Sequence, residues 1–368
     1  MKAVILVGGE GTRLRPLTCN MPKSVVPIVN RPFLEHTIDY LRQHHIEDII
    51  LALCYLPGPI QSYFGDGSGW GVRLTYVVES SPLGTAGAVK NVAPYLDDTF
   101  FVLNGDVFAD LDLTAMLAYH RGEKAKVSIA LTPVDDPTIY GVVETATSGR
   151  VQRFVEKPSW DEVTTNMINA GTYILEPEVL EYIPARAHYM FEHGLFPLLV
   201  GRGEPVYGYP SDSYWIDIGT PEKYLELHHD LLSGRSARSL AGQTGGTATE
   251  EGCHIHPTAQ VGREVIIGRN CTIARGAQVT GPSVLGQGCR IGEGAVLEGA
   301  VLWHNASLGA GVRARNCIIA ANTEVGDHCS LMDNCVLGDN VVIGEGSQLG
   351  RGIRVWPGER LEPGTISR

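Results

Sequence analysis

Where the first apolar run of the chain ends, glycine and positive charge are concentrated together: Gly8-Gly9-Glu10-Gly11-Thr12-Arg13-Leu14-Arg15-Pro16-Leu17-Thr18, then Pro22-Lys23. Glycines at a strand exit let backbone N–H groups approach phosphate oxygens closely, and Thr12, Arg13, Arg15 and Lys23 crowd the same turn. Glycines alone would fit an ordinary strand-to-helix turn. The cations, in a chain with 41 acidic against 29 basic residues, tip the balance toward a bound anion. That anion has to be small, because a formal charge of -12 with no run of Lys or Arg offers nothing to a nucleic-acid backbone or an anionic membrane. Two familiar phosphate loops are excluded by spacing: a P-loop requires G-x-x-x-x-G-K-[ST], and a dinucleotide loop requires a third glycine where Leu14 stands.

Such a turn needs a strand to end on. Lys2 to Val7 is short, continuously apolar and β-branched, the pattern of a buried parallel strand. Phe33 to His44 has helical apolar spacing, and Asp48 to Cys54, Leu74 to Glu79, Phe100 to Leu103 and Lys126 to Leu131 read as further strands with helical stretches between most of them. The alternation predicts an α/β fold with a doubly wound, Rossmann-like sheet, whose ligands lie beyond the carboxyl ends of its strands. With 43% hydrophobic and 19% charged residues in 368, the chain is globular, of two or three domains, and not disordered. No apolar run approaches the roughly 20 residues of a membrane helix, and no signal peptide precedes the first strand, so a cytoplasmic location is expected. His44-His45 and His228-His229 lack companion ligands and are expected on exposed helix surfaces.

Composition changes after Gly234. Residues 235–252 are small, polar and glycine-rich, as in a linker, and 19 of the 44 glycines lie from Cys253 onward. There a six-residue period appears: Ile255, Val261, Ile267, Ile273, Val279, Leu285, Ile291 and Leu297 are evenly spaced, with one-residue slips before Leu302 and before Ile319. This is similar to the hexapeptide repeat of the left-handed parallel β-helix, with about six coils expected at about 18 residues each. Three segments follow: 1–234, a linker over 235–252, and an all-β repeat domain over 253–368. Six cysteines, Cys253, Cys271, Cys289, Cys317, Cys329 and Cys335, each precede an aliphatic repeat position by two, which marks them as small buried core thiols rather than a metal site or disulfide ladder.

The glycine-rich loop together with MPKSVVPIVNRP resembles the signature of the sugar-1-phosphate nucleotidyltransferases. The resemblance continues in chain order through Pro82-Leu83-Gly84-Thr85-Ala86-Gly87, Asn104-Gly105-Asp106, Tyr140-Gly141-Val142-Val143, Phe154-Val155-Glu156-Lys157-Pro158, Asn169-Ala170-Gly171 and Trp215-Ile216-Asp217-Ile218-Gly219. The repeat tail is similar in length to that of the mannose-1-phosphate guanylyltransferases. The resemblance implies attack of a sugar 1-phosphate on the α-phosphorus of a nucleoside triphosphate, a reaction whose nucleophile is already an anion and needs no general base. It implies catalytic roles for Arg13 on the leaving pyrophosphate, Lys23 on the α-phosphoryl oxygens and Asp106. It implies nucleotide contacts from Gly8, Gly9, Gly11, Thr12, Pro82, Gly84 and Thr85, and Mg²⁺ held by Asp106 and Asp217. Lys157 would grip the sugar phosphate, with Glu156, Asn169 and the backbone at Gly141 on sugar hydroxyls. One stretch departs from the pattern: Phe191-Glu192-His193-Gly194-Leu195-Phe196-Pro197 has Gly194 where an acid is common, which puts an acid's role there in doubt.

Glu79 bears on the base. It holds the place where thymidylyl and uridylyl relatives generally carry Gln, and a carboxylate, an acceptor only, suits the adjacent N1–H and 2-amino donors of guanine. GTP and mannose 1-phosphate are therefore the expected substrates, with glucose-1-phosphate thymidylyl, uridylyl or adenylyl transfer as the alternatives. Two other classes compete. An acyltransferase built on the same repeat would carry its histidine on an inserted loop, whereas His254, His256, His304 and His328 lie within hexads. A silent regulatory subunit would have lost Arg13, Lys23, Asp106 or Asp217, and all four are present. The flat faces and open end strands of the repeat predict a homo-oligomer through 253–368.

Overall fold

The computed structural model describes residues 1–238 and 246–367. They form two compact units, one of residues 1–10 and 34–215, the other of residues 11–33, 216–238 and 246–367. The glycine-rich segment from Gly11 to Phe33 therefore clusters with the repeat domain rather than with the sheet whose first strand it follows.

The first unit is the expected α/β sheet. Its strands β1 (Lys2–Val7), β4 (Asp48–Leu53), β5 (Arg73–Val78) and β6 (Phe100–Asn104) are parallel, in the spatial order β6-β1-β4-β5. Strands β2 (Pro27–Ile28) and β3 (Arg31–Pro32) make a small hairpin of the second unit. Chain order reverses on either side of β1, which places the carboxyl ends of β1 and β6 at the switch point where open α/β sheets bind ligands. Helices α1 (Phe33–Gln43), α2 (Pro57–Phe64), α3 (Gly84–Asn91) and α4 (Leu113–Gly122) connect the strands.

Beyond β6 and the short β7 (Val107–Ala109) the sheet departs from the expected parallel pattern. Strands β9 (Gly141–Thr145) and β10 (Val151–Glu156) form an antiparallel pair at one edge. The long β11 (Met167–Leu175) runs antiparallel to β6 and to β8 (Val127–Pro133), and β12 (Val206–Pro210) lies parallel to β8. β11 reaches β8 on one side and β6 and β9 on the other by shifting register between Asn169 and Tyr173. Short apolar runs do not report strand direction, so this reversal was not legible from periodicity.

In the second unit, α6 (Pro221–Ser233) precedes a left-handed parallel β-helix of three seven-stranded sheets. The coils number seven rather than six. The extra strands are Thr247–Thr249, inside the segment expected to be a linker, and Ile366–Ser367, past the last aliphatic hexad position. The remaining linker residues 239–245 lie outside the described residues. Inward-facing Val, Ile and Leu fill the column with Cys271, Cys289, Cys317, Cys329 and Cys335, all buried. All eight cysteines are free thiols. The thiols of Cys253, Cys271, Cys289, Cys329 and Cys335 each donate to a carbonyl in the next coil, at 2.8–3.1 Å. Burial pushes the Cys335 thiol up to about 11. The two slips fall at the same corner of successive coils: Val284 pairs with Val301 and Val301 with Ile318, each 17 residues on, where neighbouring coils take 18.

One buried polar cluster holds α4 to the sheet. Neutral His120 bridges Ser128 Oγ (2.8 Å) and Glu176 Oε1 (3.1 Å), which also accepts from the Thr99 hydroxyl at 2.7 Å. Burial lowers the His120 pKa and the neighbouring Glu176 only partly offsets it. An unfolded chain takes up this proton near pH 6.5 and the folded chain only at lower pH, so the cluster's contribution to stability is complete above about pH 6.5 and declines as pH falls. Thermal unfolding of wild type and His120→Gln between pH 7 and 5 is expected to show a steeper loss in wild type; parallel curves would remove His120 as the cause. The buried repeat thiols are expected to resist aqueous disulfide reagents until the protein unfolds.

Candidate active site

Each unit contributes its own constellation. In the second, Gly11 is left-handed at φ +63°, and a Cβ there would lie 3.1 Å from Lys23 Cβ and from Thr18 Cγ2. Only glycine lets the loop fold back this tightly. The Thr18 hydroxyl donates to the Gly11 carbonyl at 2.7 Å, and a single helical turn over Thr12–Leu14 closes on the same carbonyl. Thr12 and Arg13 are exposed while Lys23 is 8% exposed. Asp217 lies between the two cations, with Lys23 Nζ 3.5 Å from Oδ1 and Arg13 Nη2 3.7 Å from Oδ2. The Arg13 guanidinium occupies the place a Cβ of Gly219 would take, at 2.9–3.1 Å. The Trp-Ile-Asp-Ile-Gly motif thus supplies both a counter-charge and a seat.

The hairpin that follows Lys23 is strained. Val29 and Asn30 both adopt left-handed backbone, at φ +47° and +64°. For a β-branched residue this costs about 1–2 kcal/mol. The turn is held by the Val29 N–H, which donates to His228 Nε2 at 3.1 Å, and by Asn30 Nδ2, which donates to the Leu285 carbonyl at 2.9 Å. At about 1 kcal/mol each, two such bonds just match the strain. His228 is completely buried, contrary to the exposed helix surface expected of it, because α6 turns that face toward the hairpin.

In the first unit, Gly8 lies at the exit of β1, where a Cβ would be 3.2 Å from Cys54 Cβ, while a Cβ at Gly9 would meet open space. Gly105 donates to the Leu6 carbonyl at 3.0 Å, and a Cβ there would approach that oxygen to 2.5 Å. Glycine between Asn104 and Asp106 is thus what brings the half-buried Asp106 beside the end of β1. Glu79 is 8% exposed at the end of β5, not turned to solvent, and its Oε2 accepts from the Leu83 N–H at 3.0 Å. Burial raises its pKa, and the Leu83 bond partly opposes that. Pro82 is exposed, and Gly84, at φ +73°, opens α3 against the Tyr189 carbonyl. The Thr85 hydroxyl is engaged internally, accepting from the Phe191 N–H at 2.8 Å and donating to Glu192 at 3.0 Å.

Glu156, Lys157, Gly141 and Asn169 gather around the β9–β11 edge. The Glu156 carboxylate and the Phe154 ring fill the space a Cβ of Gly141 would need. Burial raises the Glu156 pKa, followed by the nearby Glu192 carboxylate, against the smaller pull of Lys157. Lys157 is exposed and left-handed at φ +48°, its Nζ 4.0 Å from Glu156. Asn169 stands at the register shift of β11, where it donates to Tyr173 Oη (2.9 Å) and accepts from the Gly171 N–H (3.0 Å). Shifts of this kind re-aim side chains beside functional sites. Glu192 is not among the residues the sequence singles out, because the departure from the pattern lies at Gly194, whose Cβ position is 2.6 Å from the Tyr189 ring; the acid of this stretch stands two residues earlier. Trp215 was also missed as a side chain of the site: it donates to the Ala170 carbonyl at 3.0 Å and meets the Tyr140 ring edge-on. No group of three metal-ligating side chains occurs among the described residues.

Comparison with known proteins bears on the family of the chain. Residues 2–234 match the family model described as nucleotidyl transferase, and residues 245–349 match that of the EIF2B subunit epsilon LbH domain. Mannose-1-phosphate guanylyltransferase of Mycobacterium tuberculosis is 40% identical over 74% of this chain and 77% of its own. A probable mannose-1-phosphate guanylyltransferase 2 of Arabidopsis thaliana is 36% identical over 89% and 93%. A UTP–glucose-1-phosphate uridylyltransferase of Synechocystis is also 40% identical, over 63% and 64%. Among solved structures, HddC from Yersinia pseudotuberculosis superimposes with a TM-score of 0.55 at 32% identity, covering 61% of this chain and 97% of that one. From the sheet, its ordered motifs and these matches, the chain belongs to the nucleotidyl transferase family and is an enzyme of that kind.

Proposed function

We propose that the enzyme transfers a guanylyl group from GTP to mannose 1-phosphate, giving GDP-mannose and pyrophosphate. An oxygen of the sugar phosphate forms the new bond to the α-phosphorus as the bond to the β-phosphate oxygen breaks, and both substrates are anions throughout. Arg13 takes the leaving pyrophosphate and Lys23 the α-phosphoryl oxygens, each exchanging part of its pairing with Asp217 for phosphate. The N–H groups at Gly8, Gly9, Gly11 and Thr12 line the triphosphate, while Pro82, Gly84 and Thr85 shape the turn over the nucleoside. Lys157 holds the sugar phosphate, and Glu156, Asn169 and the Gly141 backbone hold sugar hydroxyls. The carboxylates of Asp106 and Asp217 are the hard oxygen donors Mg²⁺ prefers, and Mg²⁺ bound there would offset charge on the phosphates. A homo-oligomer through the repeat domain accompanies this proposal, with light scattering expected to give a multiple of 39.7 kDa. No inserted loop interrupts the described strands of the repeat, which disfavours acyl transfer.

The choice of base rests on Glu79. A relative named for mannose and guanine and one named for glucose and uracil are each 40% identical to this chain, so identity alone does not discriminate. The buried Glu79 carboxylate, with Oε2 already on the Leu83 N–H, retains acceptor capacity for the N1–H and 2-amino group of guanine, where uracil or thymine would present a carbonyl. Glu79→Gln keeps an oxygen for Leu83 and changes only the other arm from acceptor to donor. Pyrophosphate release measured with GTP, UTP, dTTP and ATP is expected to favour GTP in wild type, and Glu79→Gln to lower the GTP-over-UTP ratio by about tenfold or more. An unchanged ratio would refute the assignment. Separately, Asp217→Asn is expected to cut turnover by on the order of 100-fold with the fold intact by circular dichroism; near-normal turnover would exclude Asp217.

A further inference from the structure

At the residue following each strand of the first β-helix sheet, the repeat places a small side chain or an exposed one. Gly268, Gly286, Ala320 and Gly338 occupy that position in four coils, and a Cβ at Gly286 or Gly338 would meet the backbone of the next coil at 2.6–2.8 Å. The fourth coil breaks the pattern with Trp303, which is only 2% exposed. Its Nε1 donates to Tyr224 Oη at 2.9 Å, and that hydroxyl in turn donates to the Pro27 carbonyl. Tyr224 is fully buried, and burial raises its pKa, so its proton stays in place for that bond. Its own carbonyl meets His228 Nδ1 at 2.9 Å; the Nδ1–H tautomer leaves Nε2 to accept from the strained Val29. The Trp303 coil begins at the shortened corner, where the Gly299 carbonyl meets His229 Nε2 at 3.0 Å. The same segment is held farther along the column, where Asp339 accepts from Asn20 at 3.4 Å and Arg354 donates to the Arg15 carbonyl at 3.3 Å.

We infer that Trp303 and Tyr224 are positioning residues for the reaction: through Pro27 and Val29 the β-helix holds the segment bearing Arg13 and Lys23 in its working conformation, an inference whose catalytic half rests on the proposed nucleotidyl transfer. The repeat domain is on this account part of the catalytic apparatus. A displacement of the segment by about 1 Å is enough to cost turnover heavily while leaving ground-state contacts largely made. The column itself does not depend on the Trp303 N–H, because its core is filled from the inward positions.

The test uses the full chain with Trp303→Phe, which removes the donor together with part of the indole ring, and Tyr224→Phe, which removes only the hydroxyl and with it both bonds. Trp356→Phe is the control, since Trp356 holds the same repeat position in the last coil and is 46% exposed. Hydrogen exchange and steady-state kinetics are measured on each. Both clamp variants are expected to exchange residues 12–29 about tenfold faster or more, with β1 and β6 unchanged, and to lose about tenfold or more in kcat with KM for either substrate within about twofold. The control is expected to match wild type. Wild-type exchange over 12–29 together with wild-type kcat in Trp303→Phe would overturn the inference, even if Tyr224→Phe failed to fold. Faster exchange over 12–29 in a protein whose wild type transfers no nucleotide would support the clamp and refute the proposed function, so the two failures are distinguishable.

Discussion

The like charges of Arg13 and Lys23 on one short segment repel each other, so they stay close only with a counter-charge between them. Asp217 meets that requirement, within 3.5 Å of Lys23 and 3.7 Å of Arg13. The rest of the second unit follows from it. Gly11 has to be glycine because Lys23 and Thr18 close in on it, and Gly219 because the Arg13 guanidinium lies where its side chain would be. Arg13 remains exposed while Lys23 is nearly enclosed, so the two cations are not equivalent: in the proposed reaction Arg13 would follow the leaving pyrophosphate while Lys23 stays in place. Attraction at such distances is strong in a partly buried setting and weak in open water, so enclosure of Lys23 gives the carboxylate much of its hold.

The first unit handles negative charge in the opposite way. Glu156 and Glu192 lie near enough to raise the Glu156 pKa together with burial, and Glu79 is raised by burial alone. Two of these carboxylates have a local donor, Leu83 N–H for Glu79 and the Thr85 hydroxyl for Glu192, which orients them without neutralising them. An oriented, partly desolvated carboxylate discriminates sharply between a partner that donates and one that does not, since a mismatch leaves a buried acceptor facing another.

Legibility in the sequence tracked how local each constraint is. The strands β1 and β4 were readable because both their faces are buried, and the hexapeptide period because one inward aliphatic residue per side of each coil repeats at fixed spacing. Coil number was short by one because Thr249 and Ser367 stand at the hexad positions of the two end strands, paired with Ile267 and Leu349, so no aliphatic residue marks them. The antiparallel strands β9 to β11 were not readable as such, nor was burial of His228, because both depend on what lies opposite across a long separation in sequence. Glu192 escaped for a different reason: a motif fixes attention on a position, whereas the fold needs only a carboxylate of suitable reach. The one-residue slips, by contrast, were visible as slips; that the first of them lies where Gly299 meets His229 of α6 depends on a long-range contact and was not.

The anchors of the glycine-rich segment lie at Leu285, Trp303, Asp339 and Arg354, in the third, fourth, sixth and seventh coils. Coils of a parallel column are spaced by about 4.8 Å, so the column acts as a ruler with marks set by its rungs. Removing or duplicating a whole coil preserves every hexad and every inward side chain, and a repeat protein would ordinarily tolerate it. Between Leu285 and Arg354 it would carry some marks about 5 Å away from the others and from a segment of fixed length. The first two coils bear none of these marks. Drift in repeat number is therefore open to this tail at its ends and closed between the third coil and the seventh.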